Sequence, residues 1–267
     1  MNLSNQLSNL NNALQLRGFL VNNQQNEHIY ISQGNHAQDI RNLIQLFEQH
    51  NIPATIHNGN IYLQEEQLQT NHIDFNKIIW HPAQNHEAGG NGQPRGFRYF
   101  TKSIHGPKIR TLTLETGIAR MVKAISAAGI TTINSCDGHG KRAPIVNFFG
   151  TYNASWFYVQ FQKMLQETKT NLNYQWIFTE EEKALTDPGL KGVNPTRSKY
   201  NLDLVLEDSL QIADYFFNNA QAISETKRTI FRKNRNTLRK QVKDMTFDQL
   251  CVWMETREQE YTSLISN

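Results

Sequence analysis

Thr116-Gly117-Ile118-Ala119-Arg120-Met121-Val122-Lys123-Ala124-Ile125-Ser126-Ala127-Ala128, followed by Gly129-Ile130-Thr131-Thr132-Ile133-Asn134-Ser135-Cys136-Asp137-Gly138-His139-Gly140-Lys141-Arg142 and then Pro144-Ile145-Val146-Asn147-Phe148-Phe149, sets the fold class. Ile118, Met121, Val122 and Ile125 recur at helical spacing, so residues 116–128 read as a helix with that stripe buried and Arg120 and Lys123 opposite. Gly129 stands where a helix C-cap belongs. The β-branched run after it reads as a strand, residues 136–142 as a turn, and residues 144–149 as a second strand closed by Gly150.

Working outward, Leu3, Leu7, Leu10 and Leu14 predict an N-terminal amphipathic helix ended by Gly18. Two β-like runs follow, residues 19–21 and 28–31. A helix over residues 36–49 is expected, with Ile40, Leu43, Ile44 and Phe47 on one face, and Pro53 stops it. Asn58-Gly59 between residues 54–57 and 60–63 is a hairpin signal, because both residues accept the positive φ of a tight turn. Residues 81–96 carry four glycines and two prolines and read as a linker or loop; their glycines fit neither a P-loop nor a dinucleotide-binding turn. Downstream, Asn153 is placed to cap a helix through Leu165 and residues 174–178 form a strand. Residues 180–198 are a charged excursion, and residues 200–206 alternate like a last strand. Asp208 opens a helical tail that ends in a short helix announced by the capping box Thr246-Phe247-Asp248-Gln249. No internal repeat stands out. The expected fold is α+β or mixed α/β, with two small sheet-containing units, 1–80 and 97–206, a Gly-rich linker 81–96 and a helical tail 207–267.

The 267 residues carry 27 Lys+Arg against 24 Asp+Glu, and a net charge of +3 does not by itself imply a nucleic-acid partner. The 38% hydrophobic content and 10% aromatics suffice for a core and exclude a disordered chain. Asn and Gln are abundant but scattered. No apolar run approaches the roughly 18–20 residues of a membrane span, and the N-terminus lacks the pattern of a signal peptide. Two cysteines, Cys136 and Cys251, argue against a disulfide scaffold. The expected setting is cytoplasmic, with no membrane partner.

Residues 136–142 concentrate a thiol, a carboxylate, an imidazole, two glycines and two cations on one turn. Cys136 and His139 have the C-x-x-H spacing that lets one turn give two ligands to zinc, with Asp137 adding an oxygen or orienting the imidazole. Further ligands would come from His105, His81, His86 or distant carboxylates. Alternatively, Cys136 is a nucleophile whose pKa is lowered by His139, Lys141 and Arg142, or an inert buried thiol beside a structural turn. A purely anion-binding turn built on Lys141 and Arg142 is the fourth reading.

Two resemblances attach to these residues. Asp137-Gly138-His139-Gly140 resembles the Asp-Gly-His-Gly turn of metal-dependent PP2C-type protein phosphatases, in which the Asp holds a metal pair; Lys141 replaces the family's next glycine, and its later Asp-Gly and Asp-Asn motifs are absent. The longer phrase from Gly129 to Gly140 is similar to uncharacterised bacterial and phage proteins with a helix–strand–Ser-Cys-x-Gly-His core. That resemblance implies that the turn is a site without naming a reaction.

Lys227, Arg228, Arg232, Lys233, Arg235, Arg239, Lys240 and Lys243 form a stretch without acids that is suited to phosphates. Cys251 and the run Trp156, Phe157, Tyr158 and Phe161 read as core. The expectation is a hydrolase acting on a phosphate-bearing or nucleic-acid-related substrate. Cys136, Asp137 and His139 would be catalytic, Cys136, His139 and His105 would hold a divalent metal, zinc above others, and Lys141, Arg142, Arg232 and Arg235 would hold anions. The alternative is a non-enzymatic, phage- or defence-related regulator that binds nucleic acid or a protein partner through the basic C-terminal helix.

Overall fold

Helix α1 (Leu3–Arg17) buries Leu7, Leu10 and Leu14 against β1 (Val21–Gln24) and β2 (His28–Ile31) in a computed structural model that describes residues 3–24, 27–32, 34–68, 73–83, 109–179, 188–194, 196, 199–232 and 240–266. Helix α2 (Ala37–Gln49) and the hairpin of β3 (Ala54–His57) and β4 (Asn60–Leu63) complete the first unit, whose antiparallel sheet has the order β1-β2-β4-β3. Two short helices, α3 (Glu65–Leu68) and α4 (Phe75–Ile79), follow. The first core also draws in Leu112, from a 3-10 turn at Thr111–Thr113.

The same succession then recurs. Helix α5 (Thr116–Ala127), β5 (Thr132–Cys136), β6 (Ile145–Phe148), α6 (Gly150–Thr168), β7 (Gln175–Ile177) and β8 (Gly189–Val193) build a second antiparallel sheet of order β5-β6-β8-β7. Both first helices end on a left-handed glycine, Gly18 and Gly129. The next N–H in each bonds back into the helix, Phe19 to Leu14 and Ile130 to Ile125, before the strand begins. The repeat missing from the sequence is therefore present in the topology. The fold is mixed α+β with a C-terminal helix, and each sheet has its own core.

Several expectations need correction. Residues 200–206 are not a strand: Asn201 accepts from the Asp203 N–H and caps α7 (Leu202–Asn218), whose buried Val205, Ser209, Ile212 and Phe216 keep helical spacing. The missing strand is β8, inside the excursion, where it pairs with both β6 and β7. On α2 the buried face carries Asp39, Asn42, Leu43, Leu46 and Phe47, while Ile40 and Ile44 are exposed. Both sheets are antiparallel, and the turn over residues 136–142 joins the neighbouring strands β5 and β6. Helices α8 (Ala220–Arg232) and α9 (Phe247–Ser266) close the chain; Thr246 and Gln249 form the expected box, but α9 runs for 20 residues and is not short. Cys251, Trp156, Phe157 and Phe161 are core, as read.

Lys123 is buried rather than solvent-facing. Its ammonium donates to Asn35 Oδ1 at 2.9 Å, to Thr111 Oγ1 and to Asp39 Oδ2 at 3.4 Å, so all three protons are used. Asp39 Oδ1 also accepts from the Thr111 N–H at 2.8 Å. Beside it, Arg17 donates to the carbonyls of His81 and Thr111. These buried charges join the two units. Burial holds the Lys123 ammonium down to about 8, against a free value of 10.5, although Asp39 pulls it back up.

Lys123→Ala leaves the Asp39 carboxylate buried without its ammonium and is expected to cost about 3–5 kcal/mol in denaturant unfolding; a loss under about 1 kcal/mol would contradict this reading. Between about pH 8 and 10.5 the unfolded chain holds the Lys123 proton and the folded chain has lost it. Stability referred to Lys123→Met should therefore rise with pH across that window.

Candidate metal centre

The connection between β5 and β6 is a 3-10 turn at Gly138–Gly140 in which three successive residues take left-handed dihedrals, Gly138 at φ 79°, His139 at 53° and Gly140 at 67°. Glycine adopts this region freely, whereas a side chain there costs about 1–2 kcal/mol. The turn nevertheless keeps a histidine between its two glycines. Asp137 fixes it in place, because Asp137 Oδ1 accepts from the His139 N–H at 3.0 Å.

The start of α5 lies against this turn. Asp137 Oδ2 accepts from the Gly117 N–H at 3.3 Å and so satisfies one of the free donors of the helix from another strand. Glu115, the N-cap residue, turns its own carboxylate the other way: Oε2 accepts from the Asp137 N–H at 2.6 Å, and Oε1 lies 3.0 Å from His139 Nε2 and 3.9 Å from Cys136 Sγ. Cys136 Sγ also receives the Gly138 N–H and Arg142 Nη2, each at 3.3 Å. His139 Nδ1 faces Asp137 Oδ1 at 3.5 Å.

Glu115, Cys136, Asp137 and His139 thus bring one ligand atom each within 4.8 Å of one another, close enough to share a metal ion. Glu115 and Asp137 are buried, Cys136 is half-buried, and the His139 side chain is 54% exposed, so the cluster opens to solvent on the imidazole side. Burial pushes the Asp137 carboxyl up, and Glu115 adds to that; the His139 and Gly117 N–H groups and the His139 ring oppose it. Burial likewise raises the Cys136 thiol, with Glu115 adding, while the Gly138 N–H and Arg142 pull it down. The expected low-pKa thiol is therefore reversed, because burial outweighs the Gly138 N–H and the nearby Arg142, and Glu115 adds to it.

Of the expected site residues, Cys136, Asp137, His139 and Arg142 come together, and Lys141 follows them on the same turn. His105, His86 and Arg235 lie outside the described residues, as does nearly all of the Gly-rich loop. Arg232 is the last residue of α8. His81 is not at the cluster; its Nδ1 stands 3.2 Å from His50 Nε2. Lys227, in the basic stretch, turns inward to the Gly129 carbonyl and Asn153 Oδ1. Glu115 was missed, and its one sequence signal is an acid directly before a helix, where the N-terminal dipole favours a negative charge. No helix among the described residues is long and apolar enough to cross a membrane. Comparison of the chain with protein families, with curated proteins and with solved structures finds no match.

Gly117→Ala tests the contact between helix and turn. Helix propensity alone favours alanine by about 1 kcal/mol. A Cβ there would lie 2.7 Å from Asp137 Cβ. We expect a net loss of about 1–3 kcal/mol in thermal or denaturant unfolding, and a gain would contradict the packing described.

Proposed function

We propose that the chain is a zinc-dependent hydrolase of phosphate esters. The observation that carries this reading is the convergence of three unlike donors, Glu115 Oε1, His139 Nε2 and Cys136 Sγ, on one open corner. Oxygen and nitrogen ligands at about 2.0 Å from a tetrahedral ion stand about 3.3 Å apart, and the Glu115–His139 spacing of 3.0 Å is close to that. A thiolate and an imidazole favour zinc over magnesium or calcium. The raised thiol fits a ligand that loses its proton to a bound ion better than a free nucleophile.

In this reading three side chains hold the ion, and the exposed imidazole side leaves a position for substrate, as catalytic zinc sites do. Zinc supplies Lewis acidity and an activated water. Asp137 does not need to be a ligand: its Oδ1 lies toward His139 Nδ1, where a carboxylate fixes the tautomer and orientation of a ligating imidazole. Glu115, bonded to the Asp137 N–H, keeps the other ligands in register. Arg142, bonded to Cys136 Sγ, and its chain neighbour Lys141 would balance the charge of a phosphate.

The test is hydrolysis of bis(p-nitrophenyl) phosphate by the zinc-loaded chain. Turnover should vanish with a chelator, return with zinc, and be absent in His139→Ala at an unchanged melting temperature. Asp137→Asn should lose about 10–100-fold. Equal turnover by wild type and His139→Ala would overturn the proposal.

A further inference from the structure

Strand β8, hidden in the charged excursion, brings a cation to the same face of the sheet as Cys136. Cys136 pairs with Ile145, Ile145 with Lys191, and Lys191 with Ile177. Directly paired residues point to the same side of a sheet. The neighbouring row, Val146 with Leu190, faces the core and is fully buried, so the row containing Cys136 and Lys191 faces the other way. Lys191 lies two strands from Cys136, about 10 Å at ordinary strand spacing. Between them the turn is pinned down: the Gly192 N–H donates to the Pro144 carbonyl at 3.0 Å, and a Cβ at Gly192 would meet Pro144 Cγ at 2.8 Å. Arg142, Cys136 and Lys191 thereby border one strip of surface.

We propose that Lys191 is a substrate-binding residue of this site, holding a second phosphate of a single-stranded oligonucleotide whose scissile phosphate lies at Glu115, Cys136 and His139. This rests on the hydrolase reading and names its substrate class. The phosphates of a diphosphate share one bridging oxygen and are too close together to reach both places. A single nucleotide strand laid across the sheet face presents phosphates in succession at such separations, and a sheet face is a common platform for single strands. Ile145 and Ile177 flank Lys191 in the row and give the sugars and bases an apolar floor.

The experiment measures binding of a fluorescein-labelled, phosphorothioate-linked thymidine tetranucleotide, which resists cleavage, and of inorganic phosphate to the zinc-loaded chain. Lys191→Gln should weaken the tetranucleotide about ten-fold at low salt and lower the slope of log affinity against log salt by about 1. It should leave phosphate binding unchanged. Lys191→Arg should restore binding, and Lys77→Gln, an exposed lysine of the first unit, should change nothing. Wild-type-like binding by Lys191→Gln, equal weakening of phosphate and tetranucleotide, or a wild type that takes phosphate but no tetranucleotide would each overturn the proposal. Hydrolysis without Lys191-dependent binding sinks this inference alone, whereas Lys191-dependent binding without zinc-dependent hydrolysis sinks the reading of the cluster.

Discussion

The buried Lys123 ammonium, satisfied by Asp39, Thr111 and Asn35, is the constraint on which the arrangement of the two units depends. An ammonium taken out of water loses several kcal/mol of hydration, so it must keep a carboxylate and two further acceptors around it. Asp39 comes from the first unit, Lys123 from the second, and Thr111 from the segment that precedes α5. Shifting one unit against the other without admitting water would leave a buried charge unpaired on each side. Arg17 strengthens the joint through the carbonyls of His81 and Thr111, and its Nη2 has no partner among the described residues.

Helix α5 transmits that constraint to the chemistry. Its body carries Lys123 into the joint, while its first turn presents Glu115 and the Gly117 N–H to the turn between β5 and β6. The two αββαββ halves have the same strand order. Among the described residues, the cluster is drawn from the start of α5 and the turn between β5 and β6. In the second half a helix start meets a histidine held in the left-handed region. Strain of this kind is retained where surrounding bonds over-determine it. Here Asp137 and Glu115 supply those bonds.

Local order was legible where one residue type carries the signal. Gly129 as a helix stop, Asn58-Gly59 as a hairpin, Thr246 with Gln249 as a box and the Cys136–His139 spacing were readable because each acts within a few positions of itself. Glu115 was not, since it meets Cys136 from 21 residues away through tertiary packing. Lys123 misled because its charge normally marks a solvated face, and only Asp39 on a distant helix reverses that. Residues 200–206 alternate well enough for a strand until Asn201 is recognised as a cap. Strand β8 is short, with two glycines, and pairing on both sides rather than propensity keeps it extended.

The most direct measurement is zinc content per chain by mass spectrometry, on wild type, Glu115→Gln, Cys136→Ala and His139→Ala purified without chelators. The account predicts close to one zinc per wild-type chain and its loss in all three variants, with His139→Ala still folded. A metal-free wild type after incubation with zinc, or full zinc retention in Glu115→Gln and His139→Ala, would contradict it.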